Sequence, residues 1–357
     1  MIRVGVIGYG YWGPNLTRNF VEIPTSKLVA VADLDQDRLD QVRKSYPQIQ
    51  TTRDYRDLFR AGLDAIVIAT PPATHFRFAK EALLHGLHVF VEKPLTVASK
   101  DAQELINLAE QSDRILMVGH TFVYNPAVRA IKQIVDSEEI GRVYYIDTVR
   151  ASLGLFQRDL NVVWDLAPHD ISVIRYLLGC DPIGVSARGI GCVQYGIEDV
   201  AYITLYFPNH SLAHLHLSWL DPCKVRRTTI VGSAKMVVYD DVAGLEKVKI
   251  YDKGVASPPY TSTFGDFHFS YRYGDITVPY IGFTEPLRLE CGHFLDCIVE
   301  HKRPETDGYE GLKVVEIIEA AQRSLKNSGS QEQIFYEFEP RVMPARVQLV
   351  QGCETGS

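Results

Sequence analysis

No run of eighteen apolar residues occurs in the 357-residue chain, nor any block of five like charges. The first absence argues against a membrane-crossing helix. The second, with a net charge of −7, argues against a nucleic-acid or anionic-membrane partner while leaving room for a local basic pocket. Cysteine is sparse. Cys180, Cys192, Cys223, Cys291, Cys297 and Cys353 show no C-x-x-C spacing, so a disulfide scaffold is excluded and reduced thiols are expected. No basic stretch followed by an apolar segment and a cleavage site opens the chain, which points to a cytoplasmic protein. Internal repeats and low-complexity segments are missing as well. What is there is globular: 46% hydrophobic and 23% charged residues, over a length that predicts two domains.

Short apolar strands alternate with helical runs through the first 120 residues. Strands are predicted at Ile2–Ile7, Lys27–Ala32, Asp64–Ala69, His88–Val91 and Ile115–Val118. Helices are predicted at Pro14–Val21, Gln36–Ser45, Thr74–Leu84 and Ser99–Gln111. Alternation at this spacing is the pattern of parallel βαβ units with helices on both faces.

The stretch GVIGYGYWGPNLTRNF, Gly5 to Phe20, joins the first strand to the first helix. Gly8 permits a tight turn, Gly10 lets an anion approach the main chain, and Gly13 lets the helix lie close to the strand. Tyr11 and Trp12 complete the loop, and the free N–H groups of the helix start would face a pyrophosphate. Asp33 ends the second strand, twenty residues after Gly13, where a carboxylate can accept from ribose hydroxyls. It would repel a 2′-phosphate, and no Arg directly follows it, so NAD is expected rather than NADP. Two further turns fall at the carboxyl edge of the sheet, where cofactor loops gather. One is Ala69–His75, with Thr70, Pro71, Pro72 and His75. The other is Glu92, Lys93 and Pro94, which read equally well as a surface ion pair stopped by proline.

The second half is predicted to open with a helix over Asn125–Val135, capped by Asn125. A strand over Val143–Ser152 and a helix over Asp165–Leu178 ended by Gly179 follow. In that helix Asp165 and His169 are four residues apart and share a face if the turn is helical. Pro168 complicates this, and the alternative reading is that it marks the true first turn with Asp165 just ahead of it. Strands follow at Ile183–Gly189, Ala201–Phe207, Leu212–Trp219, Arg227–Val231 and Lys235–Tyr239, then helices over Glu285–His301 and Tyr309–Leu325. His214 and His216 share one strand face, but no third ligand sits at a familiar spacing, so no metal is expected.

The N-terminal GxGxxG, the ATPPATH turn, EKPL at Glu92–Leu95 and the D-x-x-x-H of DLAPHDISVIRYLLG (Asp165–Gly179) occur in that order. Together they resemble the glucose–fructose oxidoreductase/inositol dehydrogenase/rhizopine catabolism (Gfo/Idh/MocA) family, up to about Tyr336. YWGPNLTRNF, WDLAPHDIS and WLDPCKVRR look most like its branch acting on nucleotide-linked sugars, which includes UDP-N-acetylglucosamine 3-dehydrogenases. The resemblance implies a Rossmann NAD-binding domain (1–122). It also implies a substrate-binding and oligomerisation domain (123–340), an α/β fold with a large, open, mostly antiparallel sheet. Residues 341–357 would form an irregular tail. One face of the second sheet would cover the nicotinamide, and the other would pack in a homodimer or homotetramer. Many relatives carry a second Asp three residues past the motif histidine, where this chain has Ser172.

Oxidising a secondary alcohol requires a hydride acceptor, a base for the hydroxyl proton and a positive group beside the developing alkoxide. The family pattern points to Lys93, Asp165 and His169. His169 would be the acid/base and Lys93 the oxyanion stabiliser, or the reverse, with Asp165 fixing the geometry. Arg158, Lys224, Arg226 and Arg227 are candidates for a diphosphate clamp, or equally a basic hairpin or subunit contact. Tyr124 and Asn125 are candidates for the sugar pocket, Asn125 otherwise serving only as a cap. The expected activity is NAD-dependent oxidation, or the reverse reduction, at a ring hydroxyl of a nucleotide sugar, C3 first. The alternatives are a free polyol such as inositol, or a non-catalytic NAD-sensing regulator.

Overall fold

Turn residues divide the first 120 residues much as the sequence predicts. The computed structural model describes residues 1–256, 269–336 and 338, so the tail expected at 341–357 lies outside the described residues. Six parallel strands form the first sheet: β1 (Ile2–Ile7), β2 (Ser26–Ala32), β3 (Gln50–Thr52), β4 (Ala65–Ile68), β5 (His88–Glu92) and β6 (Leu116–Gly119). Their order is β3-β2-β1-β4-β5-β6. The connections reverse direction between β1 and β4, so a crevice opens at their carboxyl ends. Helices α1 (Gly13–Glu22), α2 (Gln36–Ser45), α3 (His75–Leu84) and α4 (Ser99–Gln111) link the strands. β4 and β6 are buried at every residue, as strands covered on both faces must be.

Helix α5 (Pro126–Asp136) starts the second half, and the Asn125 side chain caps it by accepting from the Ala127 N–H. Nine strands form the second sheet: β7 (Val143–Ala151), β8 (Gly184–Ile190), β9 (Val200–Tyr206), β10 (Leu212–Ser218), β11 (Val225–Gly232), β12 (Met236–Asp240), β13 (Val248–Ala256), β14 (Ser270–Thr277) and β15 (Glu332–Gln333). β7 and β10 pair in parallel, and the remaining pairs are antiparallel. Helix α6 (Val162–Leu178) and the later part of α8 (Gly308–Lys326) cover one face, burying Ile171, Ile174, Val314 and Ile317 against Ile203 and Leu215. The other face carries Tyr202, whose ring stacks on His214 and His216 at 6.1 and 4.6 Å between centroids. Among the described residues no His, Cys, Asp and Glu cluster has the form of a metal site.

Helix α7 (Pro286–Glu300) returns to the first sheet, where Phe294 meets Phe20 and Phe90 edge to face. Helix α8 places Tyr309 and Leu312 in the first core and Val314 to Ala321 in the second, so it bridges both. The differences from the sequence reading have physical causes. β3 is three polar residues long and carries no apolar signal. Helix α6 begins at Val162 rather than Asp165, because Asn161 caps it by accepting from the Trp164 N–H. Pro168 therefore sits inside the helix instead of opening it.

Candidate active site

A cleft of about 1890 Å³ opens at the carboxyl ends of the first sheet and is closed on its far side by the second half. Its cofactor end is built from backbone. Gly8 has a φ of +98°, and a Cβ there would lie 2.6 Å from the Ala69 carbonyl oxygen. A Cβ on Gly13 would lie 2.3 Å from the Gly8 carbonyl oxygen, so helix α1 packs directly on the turn. At Gly10 a Cβ would meet only Arg38, at 3.6 Å, and the main chain is open to the cleft. Helix α1 has no acidic residue in its first turn, which leaves its positive end for an anion. Asp33 accepts from the Tyr9 N–H at 2.6 Å and the Asp35 N–H at 2.8 Å. Its carboxylate is thereby fixed beside the loop, with Arg38 3.5 Å away. This cradle fits a dinucleotide. Tyr11, Trp12, Thr70, Pro71, Pro72 and Glu92 line the same cleft.

At the centre, Lys93 Nζ donates to the Asp165 carbonyl at 2.7 Å and to its carboxylate at 3.1 Å. The Trp219 indole N–H donates to the second carboxylate oxygen at 3.0 Å. A proline ring inside a helix removes one N–H and displaces the carbonyl four residues earlier. In α6 that carbonyl belongs to Trp164, one residue before the Asp165 carbonyl that accepts from Lys93. His169 faces the same cleft, with its Nδ1 buried and without a hydrogen-bond partner. Burial first, then Lys93 and Arg150, hold its pKa well below the ordinary histidine value, so the ring is neutral near pH 7 and can accept a proton. The Phe122 ring meets the imidazole edge to face at 5.0 Å and carries the Arg150 guanidinium 4.5 Å from its centre. Arg150 is paired with Asp170 through two bonds of 2.9 Å.

Lys224, Arg226 and Lys247 line the far wall. Arg226 and Lys247 each lie 3.5 Å from the Asp241 carboxylate, and Lys247 also donates to the Asp241 carbonyl at 2.6 Å. Arg227, the next residue along the strand, is exposed and stands outside this cleft because strand neighbours alternate. Asn125 lines the cleft as well as capping α5, and its amide donates to the Tyr239 hydroxyl at 3.2 Å.

Besides Arg227 and Gly13, which packs behind the glycine turn, three expected residues do not line the cleft. Tyr124 is buried, with its hydroxyl 3.0 Å from Thr306 Oγ1. Arg158 is exposed on the loop before α6. His75 is fully buried, its ring nitrogens 2.8 Å from the carbonyls of Thr70 and Pro94, so it braces the two cofactor turns from behind. Sequence reasoning missed Trp219, Phe122 and Lys247. Trp219 closes the alternating HLHLSW stretch, whose end at the cleft was the one available signal.

Residues 2–120 match the "Oxidoreductase family, NAD-binding Rossmann fold" of Gfo/Idh/MocA, and residues 128–238 match the "GFO/IDH/MocA C-terminal domain". The "Uncharacterized oxidoreductase YrbE" of Bacillus subtilis is 29% identical over 91% of this chain and 94% of its own length. The UDP-N-acetylglucosamine 3-dehydrogenase of Acidithiobacillus ferrooxidans is 27% identical over 88% of this chain and 94% of its own. Its solved structure superposes with a TM-score of 0.76 at 25% identity, covering 91% of this chain and 98% of that one. The scyllo-inositol 2-dehydrogenase (NAD(+)) of B. subtilis is 25% identical over 91% of this chain and 94% of its own.

Proposed function

The chain belongs to the Gfo/Idh/MocA family of NAD-binding oxidoreductases, and from that premise we propose that it oxidises a ring hydroxyl, at C3, of a nucleotide-linked amino sugar of the UDP-N-acetylglucosamine kind. Bound NAD supplies the hydride acceptor. The Lys93 ammonium, held by Asp165, donates to the alcohol oxygen and stabilises the alkoxide. His169, held neutral by its surroundings, takes the hydroxyl proton. Trp219 and Asp165 keep the ammonium aimed at the substrate side. Reduction of a 3-keto sugar reverses the same steps.

The observation that carries the nucleotide-linked reading is the basic wall of Lys224, Arg226 and Lys247 in the same cleft as Lys93 and His169. Likeness to the A. ferrooxidans enzyme over almost the whole chain agrees with it. The free-polyol reading has its own support. Asp241 sits against two of the three cations, and the inositol enzyme is about as similar. Self-association would use the exposed face of the second sheet, which presents Tyr145 and Tyr202. The five described cysteines are unpaired, which suits the cytoplasm.

A panel of UDP-, GDP- and dTDP-sugars beside free sugars and inositol, at fixed NAD, tests the assignment by NADH formation. Turnover of a UDP-amino sugar, lost when the nucleotide is removed, is expected. Equal turnover of free inositol transfers the assignment to a polyol. If nothing turns over while a protein partner is retained only with NAD, the chain is a regulator.

A further inference from the structure

Beneath Lys93 the first sheet buries two carboxyl groups that alcohol oxidation does not use. Glu92 ends β5 and lines the cleft, and Glu290 comes from α7 and is fully buried. The Lys93 N–H donates to Glu92 Oε2 at 3.3 Å, and the Thr121 hydroxyl donates to Glu290 Oε2 at 2.7 Å. The other oxygen of each, Oε1, is buried with no hydrogen-bond partner. Gly119 makes room for the arrangement, since a Cβ there would lie 3.1 Å from the Glu92 carboxyl carbon.

Two carboxyl groups enclosed in this way do not both ionise. Burial pushes Glu92 up to about 7, against Lys93 and Trp12, which favour its charged form. Burial, then the charge of Glu92, pushes Glu290 well above the usual carboxylate range. The other groups facing the pair keep one state near pH 7. His120 is held neutral by burial, with its pKa lowered to about 3. Burial raises Cys291 and Tyr124 well above their usual values. Arg18 and Glu285 are paired with each other, and Lys93 is bonded to Asp165. One proton on the pair is therefore the variable charge at this strand end. A hydride acceptor that works with Lys93 must come to the same edge. The nicotinamide ring is a cation when oxidised and neutral when reduced.

We propose that Glu92 and Glu290 form a one-proton carboxyl pair that reads the charge of the nicotinamide, ionising when oxidised cofactor binds and staying protonated when reduced cofactor binds. The sign follows from linkage. A nearby cation lowers the pair's apparent pKa, so NAD binding expels a proton and tightens as pH rises. NADH binding has no such dependence.

Calorimetric titration of the full chain with NAD and with NADH, in buffers of different ionisation enthalpy between about pH 6 and pH 8, counts the protons directly. NAD is expected to release most of one proton near pH 6 and little at pH 8. Its affinity should rise by up to about tenfold per pH unit below pH 7, while NADH stays flat. Glu92→Gln should abolish the release, and Glu290→Gln, which replaces a group already protonated, should leave its midpoint within about half a unit of the unaltered chain. Equal release with NAD and NADH overturns the proposal, as does release that survives Glu92→Gln or a midpoint lowered by more than about half a unit in Glu290→Gln, which would place the charge on Glu290. Either variant decides it if the other fails to fold. No sugar enters the measurement, so its outcome is separate from that of the substrate panel.

Discussion

On the first-sheet wall the cleft is lined by backbone turns at Gly8, Gly10 and Thr70–Pro72, whereas on the opposite wall long side chains of Lys224, Arg226 and Trp219 reach in. The first wall derives its shape from the absence of Cβ atoms and from fixed turns. The second derives its chemistry from charges set on a sheet whose register places them. A cofactor site built of main chain tolerates little change, because a single added methyl group meets backbone. A substrate site built of side chains can be retuned one residue at a time without disturbing the fold.

The sharpest way to break this contrast is at the residue where the walls meet. Lys93→Ala, which removes the ammonium between them, should lower kcat by about a thousandfold while leaving NAD affinity within about threefold, read by steady-state kinetics and calorimetry. Gly8→Ala should act on the first wall alone. At a φ of +98° and 2.6 Å from a carbonyl oxygen, the methyl forces the turn to move, and NAD binding should weaken about 10- to 100-fold. The double change Lys224→Ala with Arg226→Ala should act on the second wall alone. It should raise KM for a UDP-sugar about tenfold and flatten its salt dependence, with NAD affinity unchanged. The smallest effect concerns pH. His169 works as the neutral ring and its pKa lies well below the ordinary value, so activity is lost only as pH falls through that lowered value. With saturating cofactor and substrate, kcat should change less than about twofold between pH 7.5 and 6. A loss centred near 6.5 would show an ordinary, solvated histidine.

The same contrast explains what could be read from the chain. Pro14 inside the first turn of α1, Asn125 before Pro126 and Gly179 after Leu178 are local devices, and each marks its helix end within a residue or so. The glycine turn and Asp33 were legible for the same reason. Trp219 meets Asp165 across 54 positions, and Glu290 meets Thr121 across 169. No neighbouring pattern announces such pairs. Pro168 misled the reading of α6, because the helix is started upstream of it by the Asn161 cap and the proline is accommodated in its interior. β14 escaped notice because every one of its residues is exposed, which leaves no burial rhythm to detect.

Helix α7 has a consequence for anyone who would cut this molecule in two. Phe294 is the third ring of an aromatic trio whose other members, Phe20 and Phe90, lie in the first 122 residues. A fragment stopping at residue 122 loses that lid and turns two large greasy rings toward water, inviting clumping. The nucleotide-holding half is therefore finished only after the ribosome has made α7, and it should gain protease resistance then rather than when residue 122 emerges.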